Sequence, residues 1–441
     1  MKRNYGKTLI GTLLIVLLLA QLVGCAAAPQ TPGTGDKPGT TTLPMSGPEP
    51  LSGETEDLMA GVKPAAATAE RVDPAQAAAA TDFALRLFRA ADKPGKNTLL
   101  SPVSVLCALA MTANGAKGET LEQMEKTLGL SRDELNRFFR SWRAVLEGDE
   151  VLHMANSVWF TGRERFTVEP DFLQTNADFY GADVYRAPFD EGTLRDINAW
   201  VKAKTDGMIP EILDKIPESA VMYLVNALSF NGKWEEPYHD YDVQPGDFHC
   251  ADGTKRSVDF MSGQESEYLE NELATGFVKP YEGGKYAFAA LLPREGVSVE
   301  ALLEGLDGAA LQALLQNRSS ETVFTLMPKF ETSYDTELSE VLKRLGMELP
   351  FDAFEADFSG LGSSTAGNVF INRVIHKTFL AVDEDGTRAG AATVVEMTDG
   401  CAFIEEPRQV YLDRPFVYLL INTESCLPLF LGTMPDPAAA N

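Results

Sequence analysis

Apolar side chains returning every three or four residues mark out helices along the first half of the chain. Asp73-Pro74 reads as an N-cap followed by proline at the first helical position, and Phe83, Leu87 and Phe88 supply the apolar stripe behind it. Thr120 and Gln123 read as a capping box ahead of Leu121, Met124 and Leu128, with Gly129 placed to stop that helix. A further helix is predicted over 193–206, burying Ile197, Trp200 and Val201 before Gly207 ends it. Later the pattern changes to unbroken apolar, β-rich runs between polar turns, which predict strands at 221–230, 324–328, 410–421 and 428–434. Helices early and strands late give an α+β fold. From 75 to 437 neither a linker nor an internal repeat interrupts the pattern, so this span reads as one domain.

Ahead of that domain the periodicity is absent. Residues 25–74 are rich in Pro, Gly, Thr, Ala and Glu, bury too little to offset the entropy of ordering, and read as a disordered tether. Residues 1–24 carry the marks of an export signal: Lys2, Arg3 and Lys7, then an apolar run over 9–20. The run ends in Leu22-Val23-Gly24-Cys25, which resembles a bacterial lipobox. That resemblance implies a lipid on Cys25, which becomes the N-terminus of an exported, surface-anchored protein held to a membrane by its acyl chains. An ordinary secretory signal or an uncleaved membrane helix is the competing reading.

Composition narrows the function. With 64 acidic against 38 basic side chains among 441 residues, the formal net charge is -26, so the surface repels phosphate backbones and nucleic acid is excluded as a partner. Arg132, Arg137, Arg140 and Arg143 fall at helical spacing and read as a solvated face, with a polyanion patch as the weaker reading. The four histidines, at 153, 239, 249 and 376, and the four cysteines after Cys25, namely Cys107, Cys250, Cys401 and Cys426, show no metal or redox spacing. Neither a metal nor another cofactor is expected. Cys107 lies in the apolar run SVLCALAM, which predicts a buried free thiol. No GxSxG, HExxH, GxxxxGK or GxGxxG motif occurs, so nothing points to an enzyme.

The unusual stretch is 383–414. In DEDGTRAGAATVVEM, the alternate residues Thr387, Ala389, Ala391, Thr393, Val395 and Met397 share one face of any strand, while Arg388 and Glu396 take the other. Small inner side chains suit a strand that must slot between existing neighbours. The following TDGCAFIEEPRQ is polar and turn-rich, so the same segment also suits an exposed loop. Two readings remain open: a conformational switch, or an Ala/Gly-rich loop that never moves.

DEDGTRAGAAT resembles the hinge of the serpin family, and similar segments follow in family order from 75 to 437. NTLLSPVSVLCALAMTANGAKGET (97–120) is similar to the second helix and its exit, LVNALSFNGKWEEPY (224–238) to the third strand of the main sheet, and MPKF (327–330) to a recurring strand start. YLDRPFVYLLI (411–421) and PLFLGTM (428–434) resemble the C-terminal signature. The resemblance implies the serpin fold, three β-sheets with about nine helices and an exposed reactive-centre loop, and a monomer. It also implies a suicide inhibitor: a target protease acylates itself on the loop, and the cut loop enters the central sheet before the ester is hydrolysed. No residue of this chain would be catalytic.

The resemblance assigns Glu384, Gly386, Thr387, Arg388, Ala389, Gly390, Ala391, Ala392 and Thr393 to the hinge. Arg388 stands where many inhibitory members have glutamate, but strand alternation turns it away from the inner face. Counting from Gly386 as family members do places the cut at Gly400-Cys401, whereas counting back from Pro415 places it nearer Ile404. Met397 and Ala402 are further candidates. All are small or uncharged, which implies a serine or cysteine endopeptidase with a small or apolar primary pocket, elastase-like or subtilisin-like. Cys401 is either a passive loop residue or an exposed reactive thiol. Asn226, a lone amide in an apolar run, would be satisfied by Ser101, Ser104 and His376, the family's shutter, and Trp234 matches the breach where the loop first enters. A serpin fold without inhibitory activity, acting as a binding or scaffold protein, is the alternative.

Overall fold

Asp73 opens the first long helix as its spacing predicts: its carboxylate accepts the Ala75 N–H at 2.8 Å, and Pro74–Ala91 buries Phe83, Leu87 and Phe88. The computed structural model describes residues 51–66, 71–162, 166–217, 220–365, 367–387 and 407–439, and among these are nine α-helices. Gly118–Leu128 does not use the expected capping box. Lys117 is its N-cap without a side-chain bond, while the Thr120 hydroxyl accepts the Asp357 N–H (2.8 Å) and the Gln123 amide oxygen accepts the Leu349 N–H (2.8 Å). Both side chains tie down a passing loop. Gly129, at φ 79°, ends the helix as expected.

The innermost sheet has six strands, in the order Glu267–Glu270, Ala274–Pro280, Tyr286–Pro293, Phe416–Asn422, Pro428–Met434 and Thr98–Leu100. Every residue of Tyr286–Pro293, Phe416–Asn422 and Pro428–Met434 is buried, because the sheet is covered on both faces and its strands need no polar side. The run expected as one strand over 410–421 is two. Arg408–Tyr411 belongs to a four-stranded sheet beside Val323–Pro328, and the chain crosses to the inner sheet through Leu412–Pro415.

The main sheet is built from two ladders. One runs Glu56–Asp57, Asp183–Ala187, Leu152–Thr161, Met222–Phe230; the other runs Phe330–Glu337, Ile375–Val382, Gly386–Thr387, Gly232–Lys233. They share a continuous chain, since only Asn231 separates Met222–Phe230 from Gly232–Lys233. Among the described residues no ladder joins Met222–Phe230 to Ile375–Val382 below Gly386–Thr387.

Within residues 51–66, read from composition as tether, the stretch around 56–58 lies along the edge of this sheet and 63–66 lie against the helices Pro170–Tyr180 and Arg132–Leu146. Glu56 and Asp57 pair with Arg186 and Tyr185, and the Leu58 N–H reaches the Val184 carbonyl at 2.8 Å. The buried carboxylate of Asp196 accepts the Ser52 N–H (3.0 Å) and hydroxyl (2.6 Å) and the Thr55 hydroxyl (2.6 Å). Backbone pairing with an open edge and the packing of Leu51, Leu58 and Met59 against the core hold this polar segment in place.

Candidate functional site

The turn over 383–386 is held from several sides. The Asp383 carboxylate accepts the N–H groups of Asp385 (3.0 Å) and Gly386 (3.1 Å). Trp234, completely buried, donates its backbone N–H to the Asp385 carbonyl (3.0 Å) and its indole N–H to the Asp383 carbonyl (2.9 Å). Tyr238 donates its N–H to the Glu384 carbonyl at 2.9 Å. Glu384 pairs with Lys329 at 2.5 Å, and that ammonium holds its carboxyl below the usual range.

Gly386 and Thr387 then form a strand already inside the main sheet, pairing with Lys233 and Gly232 on one side and, through Thr387, with Val382 on the other. A Cβ on Gly386 would lie 2.2 Å from the Gly232 carbonyl oxygen, so this approach requires glycine. Thr387 is 1% exposed, on the inner face. Arg388, Ala389, Gly390, Ala391, Ala392 and Thr393, the cut-site candidates Met397, Gly400, Cys401 and Ala402, the expected exposed loop itself, and Cys25 all lie outside the described residues.

Below the hinge, Ser104, Asn226 and His376 line one small cavity between the two facing strands. The Ser104 hydroxyl donates to the Asn226 carboxamide oxygen, as the resemblance implies. The other half of that amide goes elsewhere: its NH₂ donates to the side-chain oxygen of Asn156, the residue directly opposite Asn226 in the antiparallel register. Asn156 also accepts from the Cys107 thiol (3.2 Å). Ser101 and His376 make a separate unit in which imidazole Nε2 accepts the Ser101 backbone N–H at 3.0 Å. Burial pushes the imidazole down to about 4, so it is neutral at pH 7. Asn156 carried a legible signal, a lone amide in the apolar run LHMANSVWF, of the same kind that marks Asn226.

A buried ion pair beside Trp234 also escaped the sequence reading. Lys279 meets Glu265 at 2.9 Å, donates to the Glu236 carbonyl (3.0 Å), and lies 4.4 Å and 5.4 Å from the ring centres of Tyr238 and Trp234. Its signal was a charged residue inside an otherwise apolar strand. Cys107, Cys250 and Cys426 are buried free thiols, and among the described residues no group of three or more His, Cys, Asp or Glu converges as a metal site.

A protein-family model described as serpin (serine protease inhibitor) matches residues 78–437. An uncharacterized serpin-like protein of Thermococcus kodakarensis is 28% identical over 96% of this chain and 98% of its own length. Leukocyte elastase inhibitor A of Mus musculus is 31% identical over 81% of this chain and 98% of its own. Among solved structures, a thermophilic serpin, tengpin, in the native state is 40% identical, covers 87% of this chain and 100% of its own, and superposes with a TM-score of 0.82.

Proposed function

This chain belongs to the serpin family, which includes inhibitors of proteases, and from that membership we propose that it is a suicide-substrate inhibitor of serine endopeptidases. The observation that carries the reading is the placement of Gly386 and Thr387. These two residues stand at the head of two strands, Met222–Phe230 and Ile375–Val382, between which no ladder runs among the described residues. A cut at the far end of the segment that follows them frees it to continue the strand these two residues begin.

The chemistry is acyl transfer. The protease nucleophile attacks the scissile carbonyl, its proton passes to the leaving amine as the C–N bond breaks, and an ester joins the protease to the loop. Water completes hydrolysis unless insertion comes first. Insertion adds a strand with backbone partners on both sides and drags the ester-linked protease along it, distorting the site that would deacylate. The small or uncharged residues at Met397, Gly400, Cys401 and Ala402 favour an elastase-like or subtilisin-like target with a small or apolar primary pocket. A mouse elastase inhibitor among the relatives points the same way.

Incubation with an elastase-like and a subtilisin-like protease tests this. The expected result is an SDS-resistant adduct of the summed masses; cleaved chain alone, with full protease activity retained, would contradict it. One residue favours the second reading, a non-inhibitory binding or scaffold protein: Arg388, a charge in the hinge, which burial would oppose if the strand register turned it inward. The charged and apolar pattern of residues 1–20 and the Leu22-Val23-Gly24-Cys25 sequence support an inhibitor anchored by lipid on Cys25 at the cell surface. A Cys25→Ala chain should then leave the membrane fraction, and its retention there would sink the anchor.

A further inference from the structure

The hinge has one side-chain attachment that neither the family features above nor the sequence reading accounts for. The Tyr281 phenol, 1% exposed, shares a 2.5 Å hydrogen bond with the Thr387 hydroxyl. Among the described residues this is the only hydrogen bond of either hydroxyl. The Tyr281 ring is not free to follow the hinge. It stacks on Trp234 (4.5 Å, 13°), meets Phe230 edge-on (4.8 Å), and its backbone bridges that of Trp234. Gly232 leaves the room: a Cβ there would stand 2.8 Å from the rings of both Phe230 and Tyr281.

Two states of the hinge therefore differ at this phenol. With Thr387 in the sheet, both buried hydroxyls are satisfied. With Thr387 withdrawn, the phenol stays buried in its aromatic setting without a partner, a state that polar groups in apolar surroundings resist. Backbone pairing alone holds only two residues here, too few for a stable strand.

Resting on the inhibitory reading above, we propose that Tyr281 is a positioning residue for trapping: its hydroxyl keeps Thr387 inserted before any protease arrives. The cut loop then extends a strand already begun in the correct register. Without the latch it must first start one, and the ester has longer to hydrolyse. Acylation precedes this step and takes place at the other end of the loop, so it does not depend on Tyr281.

The test uses Tyr281→Phe, which keeps the ring and its stack, Thr387→Val, which keeps the branched shape, the double variant, and Thr387→Ser, which keeps the hydroxyl. Hydrogen exchange of the peptide containing Gly386 and Thr387 should quicken about tenfold in the first two, the equivalent of one buried hydrogen bond. The double variant should be no faster than either, and Thr387→Ser should stay near the parent. The number of inhibitor molecules consumed per protease trapped should rise in the same order while the rate of loop acylation holds. Exchange in Tyr281→Phe and Thr387→Val as slow as in the parent overturns the latch. So does faster exchange with an unchanged ratio of trapping to cleavage in a parent that does form the adduct. A parent that forms no adduct with any serine protease fails the inhibitory reading first, and this inference with it; the exchange measurement tells the two failures apart.

Discussion

His376 owes its low proton affinity to burial alone, since no charged partner offsets the loss of water around the imidazole. In the unfolded chain a histidine titrates near 6.5, and here near 4. A base whose affinity is lowered by folding stabilises the fold fully above the higher value and loses that contribution as pH falls through the lower. Between pH 6.5 and 4 the loss amounts to about 3 kcal/mol. Protonation would also turn Nε2 from acceptor to donor against the Ser101 N–H. His376→Gln, which can still accept, should therefore show a flatter fall in stability over that window than the parent in denaturant titrations. Parallel pH profiles would count against the account. Single residues of this kind were partly legible: Asn226 stood out as a lone amide in an apolar run and the family resemblance added Ser104 and His376, but Asn156 was missed. Asn156 is set by the register of two strands 70 positions apart, which local pattern does not encode.

At the scale of elements, strongly periodic segments announced themselves and edges did not. Pro74–Ala91, Glu191–Lys204 and Met222–Phe230 follow their apolar spacing closely. Thr120 and Gln123 matched a capping pattern yet serve distant N–H groups, because a polar side chain at a helix start has tertiary competitors that spacing does not reveal. The arginine row on Arg132–Leu146 is likewise not simply solvated. Arg143 reaches the Ala177 (2.9 Å) and Asp178 (3.0 Å) carbonyls at the end of Pro170–Tyr180, and Arg140 the Ala66 carbonyl (3.1 Å). Residues 51–66 were the largest omission, since the few apolar side chains that pack there, Leu51, Leu58 and Met59, are scattered without periodicity and two residues pair by backbone alone. Its anchor is Asp196. Asp196→Ala removes three hydrogen bonds, and about 1–3 kcal/mol of local docking should go with them. Limited proteolysis should then cut within 51–58 faster than in the parent while the rest of the domain resists as before. Equal cutting rates would show that Asp196 does not anchor the segment.

For the whole molecule, six ordered resemblances along one chain identified the family where no single motif would have. The family model matches residues 78–437. What the fold adds is the arrangement of the main sheet among the described residues: a two-residue strand at the top, two strands beneath it with no ladder between them, and a polar cluster of Ser104, Asn226 and Asn156 beside them. An inhibitor of this kind stores its driving force as a less than optimal native packing, released when the chain is cut. Completing the sheet would add on the order of ten backbone hydrogen bonds at about 1 kcal/mol each, enough to raise Tm by roughly 13 °C in a domain this large. The decisive comparison is thermal unfolding of the intact chain against the same chain nicked once between 397 and 404. The account requires the nicked form to melt well above the intact one; equal or lower melting of the nicked form would contradict it.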